Sequence, residues 1–199
     1  MIKRPLFLLI IIFSLFTAVE AAAGINYSAD LTTVSRAGTF TSKIYVRDDV
    51  QRMDMNSDGG KAITILRGDK KVVWMLMPQS KLYVEMPIDL KRELLPPFTS
   101  PDFKVEKKPI GSGTVDGHPA REYHVDITRK GKRESSGFIW EATDLNGLPV
   151  KFETEDKSIT MTWKNIKIGG AASALFDIPP GYKKIEVSVP GMAGKGAGR

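Results

Sequence analysis

The run Val72-Val73-Trp74-Met75-Leu76-Met77, closed by Pro78, is apolar at every position. Side chains of a strand alternate between its two faces, so a strand of this composition has no side to give to water and must be covered on both. That demand is unusual for an open antiparallel sheet, yet everything around the run reads as such a sheet. Ile44 and Val46 alternate with Lys43, Tyr45 and Arg47, and Met53 and Met55 alternate with Arg52 and Asp54. This is the period-two pattern of strands with one buried face. Further strand runs fall at residues 25–34, 62–66, 81–86, 103–107, 113–115, 121–128, 137–142, 150–154 and 159–168. Turn clusters separate many of them: Asn56-Ser57-Asp58-Gly59-Gly60, Gly68-Asp69, Pro78-Gln79-Ser80, Asp116-Gly117, Lys130-Gly131, Asn146-Gly147 and Glu155-Asp156. Only residues 88–95, closed by Pro96-Pro97, read as a helix. Roughly ten antiparallel strands and one short helix predict an all-β chain with minor α content. The sheet is expected to curve strongly around the helix as a plug, since a flat sheet that wide would leave exposed edges and one bare face.

Lys3 and Arg4, the apolar residues 6–16 and the small residues Ala18, Ala21, Ala22 and Ala23 follow the order read by signal peptidase. They predict a secretory signal over residues 1–23, cut after Ala21 or Ala23. The apolar run is shorter than the roughly 20 residues of a membrane-spanning helix. The mature chain is then expected to be one domain over residues 24–189, followed by a glycine-rich, disordered tail over residues 190–199. The chain has no cysteine, hence no thiol to acylate and no disulfide to form. The expectation is a soluble, non-lipidated periplasmic protein that folds on its core alone. Its formal net charge of +6 is spread along the chain, which suits an anionic membrane surface as well as plain solubility. No basic stripe interleaved with stacking aromatics marks a nucleic-acid partner.

Catalytic and metal signatures fail to assemble, so the chain reads as a non-enzyme without cofactor or metal. His118 and His124 are the two imidazoles, and neither has an acidic partner at a diagnostic spacing in sequence. Gly111-Ser112-Gly113 lacks the spacing of a nucleophile elbow. Residues 54–59 match the first half of a calcium loop, but the position of the bidentate glutamate is held by Ile65. Arg67-Gly68-Asp69 looks like an adhesion tripeptide, yet Gly-Asp before a strand is an ordinary turn. Arg129, Lys130, Lys132 and Arg133 put four cations in one hairpin tip, a solvated loop by default and a candidate contact with anionic head groups.

Met53, Met55, Met75, Met77 and Met86 fall in strands within one short stretch, and Met161 joins them later. Flexible thioethers suit a surface that accommodates variable apolar shapes, and they equally serve as gap-fillers in an ordinary core. Trp74, Trp140 and Trp163 carry the same two readings. Period-two alternation puts Met53, Met55, Met75, Met77, Val84 and Met86 forward as the candidates to line an apolar cavity, if there is one.

Several segments carry a resemblance. Tyr27-Ser28-Ala29-Asp30-Leu31, Lys43-Ile44-Tyr45-Val46 with Arg52-Met53-Asp54-Met55, residues 73–78 with Tyr83-Val84-Glu85-Met86, and the ending Leu175-Phe176-Asp177-Ile178-Pro179-Pro180-Gly181-Tyr182 resemble a bacterial group labelled outer-membrane lipoprotein-sorting proteins. That group is similar to the LolA-like superfamily of periplasmic lipoprotein carriers. The resemblance implies a half-open antiparallel barrel plugged by one or two short helices, with an apolar cavity that accepts acyl chains. It also implies that residues 72–77 face the helical plug on one side and the cavity on the other. Carriers of this kind begin with a long helix, whereas this chain enters its first strand almost directly, so the lid is reduced. The function expected is lipid, acyl-chain or lipoprotein binding without catalysis. The alternative is an envelope protein-protein interaction or sensor module that uses the same fold with a filled core.

Overall fold

The computed structural model describes residues 26–57, 60–87, 103–129 and 131–186. The expected helix at 88–95, the leader over residues 1–23 and the tail over residues 190–199 lie outside the described residues. Alternating runs joined by tight turns give a succession of antiparallel hairpins. The first half holds β1 (Tyr27–Ser35), β2 (Gly38–Arg47), β3 (Val50–Ser57), β4 (Gly60–Arg67), β5 (Val72–Met77) and β6 (Leu82–Pro87). The second holds β7 (Phe103–Val115), β8 (His118–Arg129), β9 (Lys132–Ala142), β10 (Leu148–Thr154), β11 (Ile159–Ile168) and the short β12 (Lys183–Lys184). The twelve form one sheet, in the order β12-β6-β5-β4-β3-β2-β1-β11-β10-β9-β8-β7. The two halves join where β1 pairs with β11, setting Leu31 opposite Trp163 and Thr33 opposite Met161. The sheet is strongly curved and unclosed, with β12 and β7 at its two edges.

Two details depart from the sequence reading. Residues 103–115 form one continuous strand rather than two, because a bulge between Pro109 and Gly111 lets β7 carry its proline on the free edge, where no hydrogen-bond donor is needed. The strand count rises to twelve through β12, a pair of lysines alongside β6 in parallel. Among the described residues the helical content is two 3-10 turns, Thr143–Leu145 and Ser173–Phe176.

Register divides the sheet into two faces. On one, Tyr27, Ala29, Leu31, Ile44, Met53, Val125, Ile139, Leu148, Phe152, Met161 and Trp163 form a single buried cluster spanning β1–β3 and β8–β11. Leu31, Phe152, Met161 and Trp163 are at most 2% exposed, so the core is filled beneath the junction of the two halves. Gly137 sits where β9 and β10 close over Phe152. A Cβ there would lie 2.3 Å from the Glu153 carbonyl oxygen, so only glycine permits this approach.

The opposite face of β4 and β5 carries Ile63, Ile65, Trp74 and Leu76, all buried. Their cover is the segment that follows β11: Phe176, 3% exposed, packs into them with Leu175, Ile178 and Tyr182 around it. Residues 171–185 therefore act as a strap across the sheet. Beyond Phe176 the strap ends as β12, where the Lys183 and Ile185 amides donate to the Lys81 and Tyr83 carbonyls, each at 2.9 Å. The cover over Trp74 and Leu76 is thus a 3-10 turn from the far end of the chain. Deleting a buried phenylalanine side chain costs about 3 kcal/mol or more. Phe176→Ala should lower unfolding stability by about that amount, seen as a reduced urea midpoint at unchanged m-value.

Candidate functional site

The core face continues past the filled cluster onto β4–β6, and there it becomes a row of flexible apolar side chains. Cross-strand pairing aligns Ile44, Met53, Thr64, Met75 and Val84 in one line from β2 to β6. The line on one side runs Val46, Gln51, Leu66, Val73, Met86. On the other side Met55 stands opposite Ser42 and Ala62, and Met77 stands opposite Leu82. All six residues singled out by alternation therefore share one face. Met53 is 4% exposed and belongs to the core cluster, whereas Met55, Met75, Met77, Val84 and Met86 are half-buried.

Between the methionines of β3 and those of β5, strand β4 presents Ala62 and Thr64. Strands two apart are separated by roughly 10 Å. Ala62 and Thr64 are shorter than the thioether side chains on either side of them, which can lean across. Ala62, Thr64, Val73 and Leu82 were not singled out in the sequence. The available signal was the period-two continuation of β4 against its neighbours, which needs the register to be read.

The reverse face is clamped by two arginines of the same design. Arg52 forks onto Asp54 two residues on (Nε to Oδ1 2.5 Å, Nη2 to Oδ2 3.0 Å) and donates from Nη1 to the Leu175 carbonyl at 2.8 Å. Arg67 forks onto Asp69 at 2.7 and 2.6 Å and donates to the Phe176 carbonyl at 3.0 Å and to Asp177 at 2.6 Å. Arg67-Gly68-Asp69 is thus a strap anchor, its aspartate fixing the guanidinium for the strap carbonyl. Trp74 Nε1 donates to Glu85 at 2.8 Å, and Lys184 reaches the same carboxylate at 3.0 Å. Arg47 donates to the Ser173 hydroxyl. The Asp54 carboxylate, first residue of the calcium-like stretch, is taken by Arg52 and by Lys61 at 3.1 Å.

The remaining candidates lie elsewhere. In the hairpin tip Lys132 and Arg133 are exposed, and Arg133 is shared between Asp126 (2.6 Å) and Glu155 (3.3 Å). Lys130 and the side chain of Arg129 lie outside the described residues. His118 does meet an acidic partner, Asp144 at 2.8 Å, brought in by the 3-10 turn before β10. The tryptophans separate cleanly: Trp163 is core, Trp74 lies under the strap, and Trp140 is half-buried on the outer face with the Lys151 ammonium 4.3 Å from its ring centre.

This architecture is an all-β fold built on one large antiparallel sheet that is strongly curved and unclosed. The chain belongs to the family described as Domain of unknown function (DUF4412), whose model matches residues 28–138. No curated protein matches the sequence. Among solved structures it is similar to an uncharacterized conserved protein from Thermus thermophilus, with a TM-score of 0.58 at 12% identity over 90% of this chain and 96% of that one. It is also similar to the Pseudomonas aeruginosa MucA/MucB complex structure, with a TM-score of 0.51 at 17% identity over 86% of this chain and 59% of that one. A LolA superfamily protein from Nitrosomonas europaea aligns at a TM-score of 0.38 and 7% identity, over 85% of this chain and 96% of that one. At these identities the likeness is one of fold.

Burial pushes the Asp54 carboxyl up, but hydrogen bonds and charge from Arg52 and Lys61 more than offset this and hold it below its ordinary value. A carboxylate so depressed stabilises the fold above its unfolded pKa of about 4, and that contribution is lost as pH falls through the folded value. The stability gap between the native chain and Asp54→Asn should therefore be largest at neutral pH and shrink below about pH 4. Urea unfolding of both proteins across that range checks it.

Proposed function

We propose that the chain is an exported, non-catalytic binding protein that shelters the acyl chains of a lipid or lipoprotein against the methionine face of β3–β6. The observation that carries this reading is the alignment of Met53, Met55, Met75, Met77, Val84 and Met86 on one face, five of them half-buried, around small residues on β4. Thioethers adapt to different chain shapes without fixing one ligand. About twelve methylenes at about 0.8 kcal/mol each give roughly 10 kcal/mol of gross burial. Association takes back at least about 4 kcal/mol, which leaves dissociation constants on the order of tens of micromolar. Such binding is reversible, as a carrier or chaperone requires. Export rests on the leader-like residues 1–23, and among the described residues no helix is long and apolar enough to cross a membrane. Arg129, Lys130, Lys132 and Arg133 would meet anionic head groups at a membrane surface, with Arg133 the weakest contributor because Asp126 and Glu155 already engage it.

A second reading rests on a different observation. Leu31, Phe152, Met161 and Trp163 fill the core, so the open face is shallow, and a fold relative is solved as the MucA/MucB complex. On this reading the same face takes an envelope protein.

Displacement of a dansyl-labelled undecanoic acid separates the two. The native chain should bind the probe, and Met75→Asp with Met77→Asp should weaken it by more than about tenfold while near-UV circular dichroism stays native. Probe binding that is unchanged in the folded double variant contradicts the assignment of the face. A native chain that never binds the probe favours the protein-partner reading.

A further inference from the structure

The sheet sorts its methionines into two environments. Met53 and Met161, at 4% and 0% exposure, are sealed in the core cluster. Met55, Met75, Met77 and Met86 are half-buried on the methionine face, the first three grouped around Ala62 and Thr64. A thioether reacts with peroxide only where the oxidant reaches sulfur, so burial alone separates the two sets. The chain has no cysteine, so accessible sulfur among the described residues is thioether sulfur.

We infer that Met55, Met75 and Met77 form a reversible oxidation site that switches the open face from apolar to polar. A sulfur lone pair attacks one oxygen of hydrogen peroxide and the O–O bond breaks. The sulfur keeps that oxygen as a sulfoxide, and the departing hydroxide takes up a proton as water. Sulfur loses two electrons and the peroxide gains them. Each sulfoxide places a strong acceptor dipole on a mainly apolar surface, and three fall within one patch. Methionine sulfoxide reductase chemistry reverses the step, one enzyme per sulfoxide epimer. The selectivity of the site stands on burial alone; its effect on ligand rests on the acyl-binding reading.

The test treats the whole protein, as isolated, with dilute hydrogen peroxide and follows each methionine by peptide mass. Met55, Met75 and Met77 should gain one oxygen atom about tenfold faster than Met53 and Met161, and a pair of sulfoxide reductases should remove it. Affinity for the dansyl-labelled undecanoic acid should fall by about tenfold on oxidation. In a variant with Met55→Leu, Met75→Leu, Met77→Leu and Met86→Leu, whose untreated affinity is measured first, the same treatment should leave that affinity unmoved. Equal oxidation rates at all five methionines overturn the site. Oxidation of the three with affinity unmoved overturns the switch. An untreated protein that binds no probe sinks the acyl-binding reading instead, and the oxidation rates still decide the site.

Discussion

Both faces of strand β5 are apolar, and the rest of the molecule is arranged around that constraint. Trp74 and Leu76 on one side are buried by a strap that arrives after β11, and Val73, Met75 and Met77 on the other side join the continuation of the core face. The strap is held by charge as well as by packing. Arg52 and Arg67 sit at 10% and 12% side-chain exposure, each with a forked aspartate and a strap carbonyl. Isolated surface pairs are worth little, but guanidinium groups that are mostly desolvated and bidentate are among the stronger polar contacts in a fold. Removing either arginine would take the donor from a strap carbonyl and the fork from an aspartate, loosening the strap together with the local ion pair.

Sealing one face frees the other. Because the strap covers the reverse side of β3–β6, these strands do not need a second layer on their methionine side to keep Ile63, Ile65 and Trp74 dry. The methionine side is half-buried while the sheet behind it is closely packed. The filled region under β1, β10 and β11, with Trp163 and Phe152 at its centre, anchors the far end of the same face. A rigid core continuous with an adaptable apolar surface is the arrangement a reversible binder of flexible chains requires.

Local periodicity was enough to place most strands, their turns and the side on which Met53, Met55, Met75, Met77, Val84 and Met86 fall, because alternation depends only on neighbours in sequence. What covers β5 was not legible in that way. Phe176 lies 109 residues beyond Arg67, whose side chain binds its carbonyl, and no local pattern encodes that meeting. Arg67-Gly68-Asp69 read as a turn carrying a chance tripeptide, because the role of its aspartate depends on a carbonyl supplied from the strap. The place of Ala62 and Thr64 between the methionines follows only from register with β3 and β5. The His118–Asp144 pair and the continuity of β7 through Pro109 likewise follow from tertiary placement and edge position.

The central claim is that apolar chains lie on the methionine face of β3–β6, and a photoactivatable fatty acid bearing a terminal diazirine tests it most directly. After irradiation and proteolysis, the account predicts adducts concentrated in peptides covering residues 50–57, 60–67 and 72–87, suppressed by excess unlabelled fatty acid. Adducts concentrated instead on the strap or on β8–β11, or spread evenly and indifferent to competitor, would contradict it.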